Sequence, residues 1–309
     1  EAVSRHRRSD VPLGVFLSGG IDSSSVAAAI CELEPAKGVH TFSIGFEDPS
    51  FDESAHARLV ATHLGTDHHE ETISAQTLVE LVPSTLARMD EPHADTSILP
   101  TTLLARLARR HVTVALGGDG GDELFAGYAT YQADKLAAMY EHLPAPLSRG
   151  LVPTVVRQLP VSDSKVSFDL KARRFVAHAL LEPGRRHYAW KAFFSDDLKR
   201  ELLAPDVRAA LNGGLDGYEP FRRQYDAASH MDALSRYQYA DTRVSLPDDM
   251  LTKVDRMSMA HSLEARVPLL DVGLVEFAFR LPGAVKMPGL KLKHFLRQTM
   301  RDILPREIL

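Results

Sequence analysis

"VFLSGGIDSSSVAAA", residues 15–29, decides how the chain folds. An apolar run ends at Ser18-Gly19-Gly20, and Asp22, Ser23 and Ser24 lead into an alanine-rich segment. A strand over 11–17 that enters a helix near Asp22 builds a turn rich in exposed backbone N–H groups. Glycines allow positive φ and let an anion approach the main chain closely. The helix start adds unpaired N–H groups and about half a positive charge. Together these features form a cradle for a phosphate, with Ser18, Ser23 and Ser24 as hydroxyl donors. No Gly-Lys-Ser/Thr follows, so this is not the P-loop of the common NTPases, and the dinucleotide spacing is missing too. A plain strand–helix turn capped by Ser or Asp is the competing account. Asp22 would repel a phosphate unless a cation intervened. Mg²⁺, which takes oxygen ligands and bridges phosphates, resolves that conflict.

Outward from this turn, two periodicities alternate through the first ~130 residues. Strands are predicted at 11–17, 39–46, 66–73 and 112–118, and helices at 23–33, 52–64, 75–89 and 98–110. The apolar strands 11–17 and 112–116 read as buried on both faces. The expected fold class is therefore α/β, with a doubly wound, mostly parallel sheet and ligands at the carboxyl ends of its strands. Strand signals fade after "FAGYATY" (125–131). The expected organisation is a nucleotide-binding α/β part over 1–130 and a mainly helical part over 131–309, with helical candidates at 169–181, 231–245, 249–263 and 291–303. Residues 171–200 carry eight basic residues against three acidic ones, which reads as a solvated face.

The 309 residues, 44% of them hydrophobic, can bury a large core. A formal charge of −5, from 36 basic and 41 acidic residues, argues against a mainly electrostatic nucleic-acid binder. The single cysteine, Cys31, excludes an internal disulfide and a cysteine-based zinc cluster. A reducing, cytoplasmic location is the expectation. No apolar run reaches membrane-spanning length, and "EAVSRHRRSD" (1–10) lacks the apolar core of a signal peptide. The first residue is not methionine and the last segment is "LPREIL" (304–309), so a piece of a longer polypeptide is expected.

A second glycine turn repeats the strategy of the first. "VTVALGGDGGDELFAGY" (112–128) sets four glycines within five residues after an apolar strand, with Asp119, Asp122 and Glu123 among them. Three acids in one glycine loop at the end of a buried strand point to metal or polyphosphate chemistry. The spacing of a calcium-binding EF-hand is missing.

The lysine-free pattern Ser-Gly-Gly-x-Asp-Ser resembles the pyrophosphate loop of the N-type ATP pyrophosphatases. With residues 117–128 and "LPDDMLTKVDRMSMAHSLEARVPLLD" (246–271), the chain resembles the synthetase domain of glutamine-dependent asparagine synthetases from Val11 to Leu309. The resemblance implies an adenine nucleotide alpha hydrolase-like fold, with ATP and Mg²⁺ as cofactors. It also implies amidation of a carboxylate, aspartate to asparagine, through an acyl-AMP intermediate, with ammonia as the nitrogen donor. Ser18, Gly19, Gly20, Asp22, Ser23 and Ser24 would then hold the pyrophosphate. Leu17 and Ile44 would frame the adenosine, Gly117 and Gly118 would touch the nucleotide, and Asp22 and Asp122 would hold Mg²⁺. Asp119 stands where many members carry glutamate, a group placed to take a proton as ammonia attacks; aspartate is one methylene shorter. Lys253 and Arg256 are candidate partners for a carboxylate or phosphate on the acceptor side.

The glutaminase domain that supplies ammonia in this family has no counterpart in these residues and is expected elsewhere in the full-length chain. Members also continue past an "LPxxIL" segment into a loop whose lysine aids adenylate formation, and no position here carries it. Cys31 reads as a small core residue. Lys291 and Lys293 read as solvated positions on an amphipathic helix over 289–300. Neighbours His68 and His69 point to opposite faces of a strand and so cannot easily share one metal; a structural or nucleotide-adjacent role is expected. "MDEPHADTS" (89–97) is a candidate substrate-side segment. A homodimer fits the resemblance, whereas nucleic-acid and membrane partners do not. Other acceptors, as in β-lactam synthetases, remain alternatives. So do a tRNA-modifying ATP pyrophosphatase and a non-catalytic nucleotide-binding module.

Overall fold

The computed structural model describes residues 1–161, 167–211, 214 and 216–309. The chain forms two compact units, one of residues 1–125 with 245–309 and the other of residues 126–244. This division differs from the linear one expected near residue 130, because the last 65 residues return to the first unit.

That unit is built on a five-stranded, all-parallel sheet ordered β3-β2-β1-β4-β5. After a short helix α1 (Ala2–His6) come β1 (Leu13–Phe16), α2 (Ile21–Cys31), β2 (His40–Phe46), α3 (Ser54–Leu64) and β3 (Asp67–Ile73). Then follow α4 (Ala75–Leu86), α5 (Ile98–Arg109), β4 (Val114–Leu116), α6 (Gly121–Phe125) and, far along the chain, β5 (Glu264–Arg266). Successive residues of the central strand serve opposite cores, as the two-residue period requires. Val15 and Leu17 pack with alanines of α2, with Val60 of α3 and with Leu296, Met300 and Leu304. Phe16 packs instead with Phe42, with Ala105 and Ala108 of α5 and with Leu263. Both faces of the sheet are covered, so the doubly wound α/β architecture is present.

The sheet's edges carry the weakest sequence signals. β3 bears Asp67, Glu70 and Glu71, charges that protect an edge strand. β5 is three residues, "EAR", with no apolar alternation. It exists because β4 needs a second partner: Glu264 N donates to Thr113 O at 2.9 Å and Gly117 N to Arg266 O at 2.7 Å.

The second unit is helical among its described residues, with helices such as Ala129–Tyr140, Pro183–Lys191 and Ala233–Arg243. Its interior holds a polar knot. Fully buried His187 lies between Asp134 (Nδ1 to Oδ2, 2.5 Å) and Asp241 (Nε2 to Oδ2, 3.0 Å). Lys191 reaches Asp241 at 2.7 Å, and Arg186 reaches Asp134 at 3.1 Å. Tyr131 donates to Asp241 and Trp190 to Asp134. Burial opposes charge on His187, but Asp241 and Asp134 outweigh it and raise the imidazole pKa to about 9. Arg186 and Lys191 belong to the run expected to be a solvated face. Arg186 is 2% exposed, so that expectation fails there: the buried carboxylates recruit these bases.

Candidate active site

The chain runs from β1 to β2 to β3 in one direction, then crosses to β4 and β5 on the other side of β1. In such a sheet the crevice for ligands opens where the strand order reverses, beyond the carboxyl ends of the two diverging strands. Here those strands are β1 and β4, and each is followed by one of the glycine turns.

Backbone and hydroxyl bonds shape the first turn. Ser18 N donates to Ser23 Oγ (3.2 Å), Gly20 N to Ser18 Oγ (3.2 Å), and Ser23 Oγ to Gly20 O (3.1 Å). Gly19 has φ +78°, and a Cβ there would lie 2.5 Å from Ala57 N, so only glycine fits. Gly20 is the N-cap of α2 and offers no side chain to the helix's first amides. This eleven-residue helix therefore opens with its positive end uncapped. Ser24 is fully buried, and its hydroxyl has no protein partner. Leu17 is buried beside β2, its N–H on Phe42 O, and Ile44 lies half-buried on β2 itself.

The two turns touch. A Cβ on Gly118 would sit 2.6 Å from Ser23 N, and one on Gly121 would sit 2.4 Å from Asp22 Cγ. Gly118 and Gly121 thereby press against the first turn, Asp119 and Asp122 lie close enough to act on Asp22, and Gly117 faces Asp119 and Arg266 instead. Asp122 and Asp22 share one cation, Lys293, whose Nζ lies 2.5 Å from Asp22 Oδ2 and 2.7 Å from Asp122 Oδ1.

Lys293 is therefore not the solvated residue expected from its position, unlike Lys291, which is exposed. Burial works against its charge, but Asp22 and Asp122 more than compensate and raise its pKa. Two features set it apart. The helix His294–Thr299 starts after Lys293, not before it, so the lysine is its N-cap, where a cation is disfavoured. It also has φ +51°, in the left-handed region.

The electrostatics favour an added cation. Burial raises the Asp22 pKa, Lys293 pulls it down, and Asp122 and Asp119 push it up again, so that it comes to about 6. Asp22 Oδ1 is buried without a hydrogen-bond donor. An acceptor-only oxygen with no donor, next to a second carboxylate, fits a hard oxygen-seeking cation such as Mg²⁺. Burial also raises Asp119, against the pull of Lys253.

Lys253 lies in the helix Thr252–Met259, buried, with Nζ 2.5 Å from Asp95 Oδ2 and 2.7 Å from Ser97 Oγ. Asp95 belongs to the 89–97 segment, and its carboxyl is held below the usual range because Lys253 and Ser97 overcome its burial. Arg256 is in a different setting: half-exposed, it forms an ion pair with the exposed Asp90. Cys31 lies half-buried at the end of α2, its thiol pKa raised by burial.

Known proteins are similar to this sequence along its whole length. The family model described as asparagine synthase matches residues 1–309. Asparagine synthetase [glutamine-hydrolyzing] 1 of Bacillus subtilis is 31% identical, across all of this chain and 46% of its own length. Asparagine synthetase [glutamine-hydrolyzing] 3 of the same bacterium is 30% identical across all of this chain and 45% of its own length. An amidase of Penicillium rubens is 26% identical, across all of this chain and 49% of its own length. The chain thus spans about half the length of the curated relatives it matches. The paired glycine turns, their acids and the end-to-end match agree: the chain belongs to the asparagine synthase family.

Proposed function

We propose that the chain is the synthetase half of a glutamine-hydrolysing enzyme, and that it amidates the side-chain carboxylate of aspartate at the expense of ATP. The observation that carries this reading is the contact of two glycine turns at the switch point, with Asp22 and Asp122 converging on Lys293. A carboxylate resists ammonia because oxide is a hopeless leaving group. Attack of that carboxylate on the α-phosphorus of ATP forms an acyl-adenylate and expels pyrophosphate; ammonia then expels AMP.

Negative charge grows on the departing pyrophosphate in the first step. The uncapped start of α2, the amides of residue 19 and residues 21–23 and the Lys293 ammonium are the stabilisers this chain offers. Mg²⁺ bound by Asp22 and Asp122 would supply further neutralisation of phosphate charge. Leu17 and Ile44 flank the adenosine, and Gly117 and Gly118 let the nucleotide approach the second turn. Asp119, with its raised pKa, takes a proton from the attacking ammonia. Lys253 orders Asp95 and Ser97 beside it on the acceptor side. Ammonia comes from a glutaminase domain of the full-length protein.

The amidase relative favours a second reading in which the same machinery serves another acceptor. The test is a pyrophosphate-release assay on full-length protein with ATP, Mg²⁺ and ammonia against a panel of carboxylates. Aspartate-dependent release with asparagine formed is expected. Release only with a different carboxylate selects the second reading, and ADP as product removes both.

A further inference from the structure

His68 and His69 fall on opposite faces of β3. His68 has partners, Thr41 Oγ1 at 2.9 Å and Ser43 Oγ at 3.1 Å. His69 turns to the other face. The β2–β3 register matches His40 with Asp67 and Phe42 with His69, so these four residues share that face.

Three ligand-type atoms meet there. His40 Nδ1 lies 3.1 Å from His69 Nε2, and Asp67 Oδ2 lies 3.2 Å from the first and 3.5 Å from the second. A tetrahedral ion with bonds of ~2.0–2.1 Å keeps its donors about 3.3–3.4 Å apart, nearly this triangle. Hydrogen bonds can tie each imidazole N–H to Asp67 Oδ2, but the two ring nitrogens would then set their N–H groups against each other across a 3.1 Å contact. A cation above the triangle satisfies all three atoms. The rings are held in place: His69 stacks on His111 at 3.8 Å and on the buried Phe42 at 5.2 Å. Asp67 is half-exposed, so solvent reaches the remaining coordination position.

We propose that His40, Asp67 and His69 form a binding site for one divalent transition-metal ion of the Zn²⁺ class. Two imidazole donors select against Mg²⁺. The site joins the first residues of β2 and β3, at the end of the sheet opposite the glycine turns. Its effect is to clamp the edge strand onto its neighbour, independently of the nucleotide chemistry.

The experiment titrates chelator-stripped full chain with Zn²⁺ in excess Mg²⁺ by calorimetry, and with Co²⁺ by visible absorption. One equivalent of Zn²⁺ is expected to bind and to raise the unfolding temperature, with Co²⁺ giving the intense bands of low coordination number. His40→Ala and His69→Ala should each weaken binding by more than the ~10–100-fold that loss of an outer-shell partner costs. His69→Gln, which keeps a polar side chain of similar length on the strand, should do the same, and circular dichroism checks that each variant folds. His111→Phe, which preserves the stack, should leave binding unchanged. So should Asp95→Asn, which disables another candidate group among the described residues, His93, Asp95 and Asp249. Absence of Zn²⁺ binding, binding that survives the His40 and His69 substitutions, or binding lost with Asp95→Asn would overturn the proposal.

Discussion

Lys293 Nζ stands 2.5 Å from Asp22 Oδ2, across 271 positions of sequence. The first glycine turn carries no lysine of its own, and Lys293, near the far end of the sequence, lies against its aspartate. It places a positive charge between two carboxylates whose own turns are pressed together. Lys293→Met leaves Asp22 and Asp122 facing each other without a counter-charge. The expected result is a loss of up to about 3–5 kcal/mol in stability at neutral pH, partly restored by millimolar Mg²⁺, and a fall of at least ~10-fold in ATP-dependent pyrophosphate release. Thermal unfolding with and without Mg²⁺, together with the release assay, checks both effects.

Gly118 marks the closest approach of the two turns. Gly118→Ala would drive a methyl group to 2.6 Å from Ser23 N and 2.9 Å from Ser23 Cα, which are backbone atoms that cannot swing aside. The turns must then separate, and pyrophosphate release should fall ~10²-fold or more, since about 1 Å of misplacement is that costly. Gly38→Ala, with open space around it, should leave the rate unchanged. Equal losses from the two substitutions would show that turn contact is irrelevant.

The alternating cores of β1, and hence the parallel sheet, were legible because a short apolar run that ends in a glycine turn suits a strand covered on both faces and little else. Both glycine turns were legible for the same reason, since each follows such a strand. β5 was not: "EAR" gains its strand identity only from the free edge of β4, a tertiary demand with no local pattern. Lys293 was hidden by a helix boundary. Starting the helix near residue 289 places the lysine on a solvated face, whereas the true start at His294 makes it an N-cap aimed at Asp22. Arg186 and His187 were lost in a basic run because the carboxylates that bury them, Asp134 and Asp241, are 52 to 54 residues away on either side.

His187 sets an alkaline limit on the helical unit. Its pKa is 6.5 in ordinary surroundings and about 9 here. A raised value in the folded state means that the stabilisation is complete below pH ~6.5 and disappears as pH climbs through 9. The Asp241 carboxyl acts in the opposite sense. Burial opposes its charge, but His187 and Lys191 hold it well below its usual range, so its contribution is lost as acid protonates it. Stability of the wild type should therefore decline from about pH 7 to about pH 9.5 by about 2–3 kcal/mol from this group. His187→Gln should be less stable at about pH 6 and nearly flat across that interval. A wild type and variant with parallel pH profiles would show that the imidazole carries no charge.

Asp22 should trade stability against function. Its folded-state pKa of about 6 exceeds the ordinary 3.8, so the unfolded chain gives up this proton first. Stability therefore falls as pH rises from ~4 to ~6, and ionised Asp22 destabilises the ligand-free fold at about pH 7. Asp22→Asn is neutral at every pH and keeps the shape. Without ligands it should match or exceed the wild-type unfolding temperature at about pH 7, lose the decline between pH ~4 and ~6, and release pyrophosphate at least ~10²-fold more slowly. Cys31→Ala, at the half-buried end of the same helix, should change release little. A variant that is both less stable and equally active would mean that the charge at Asp22 serves the fold and not the nucleotide.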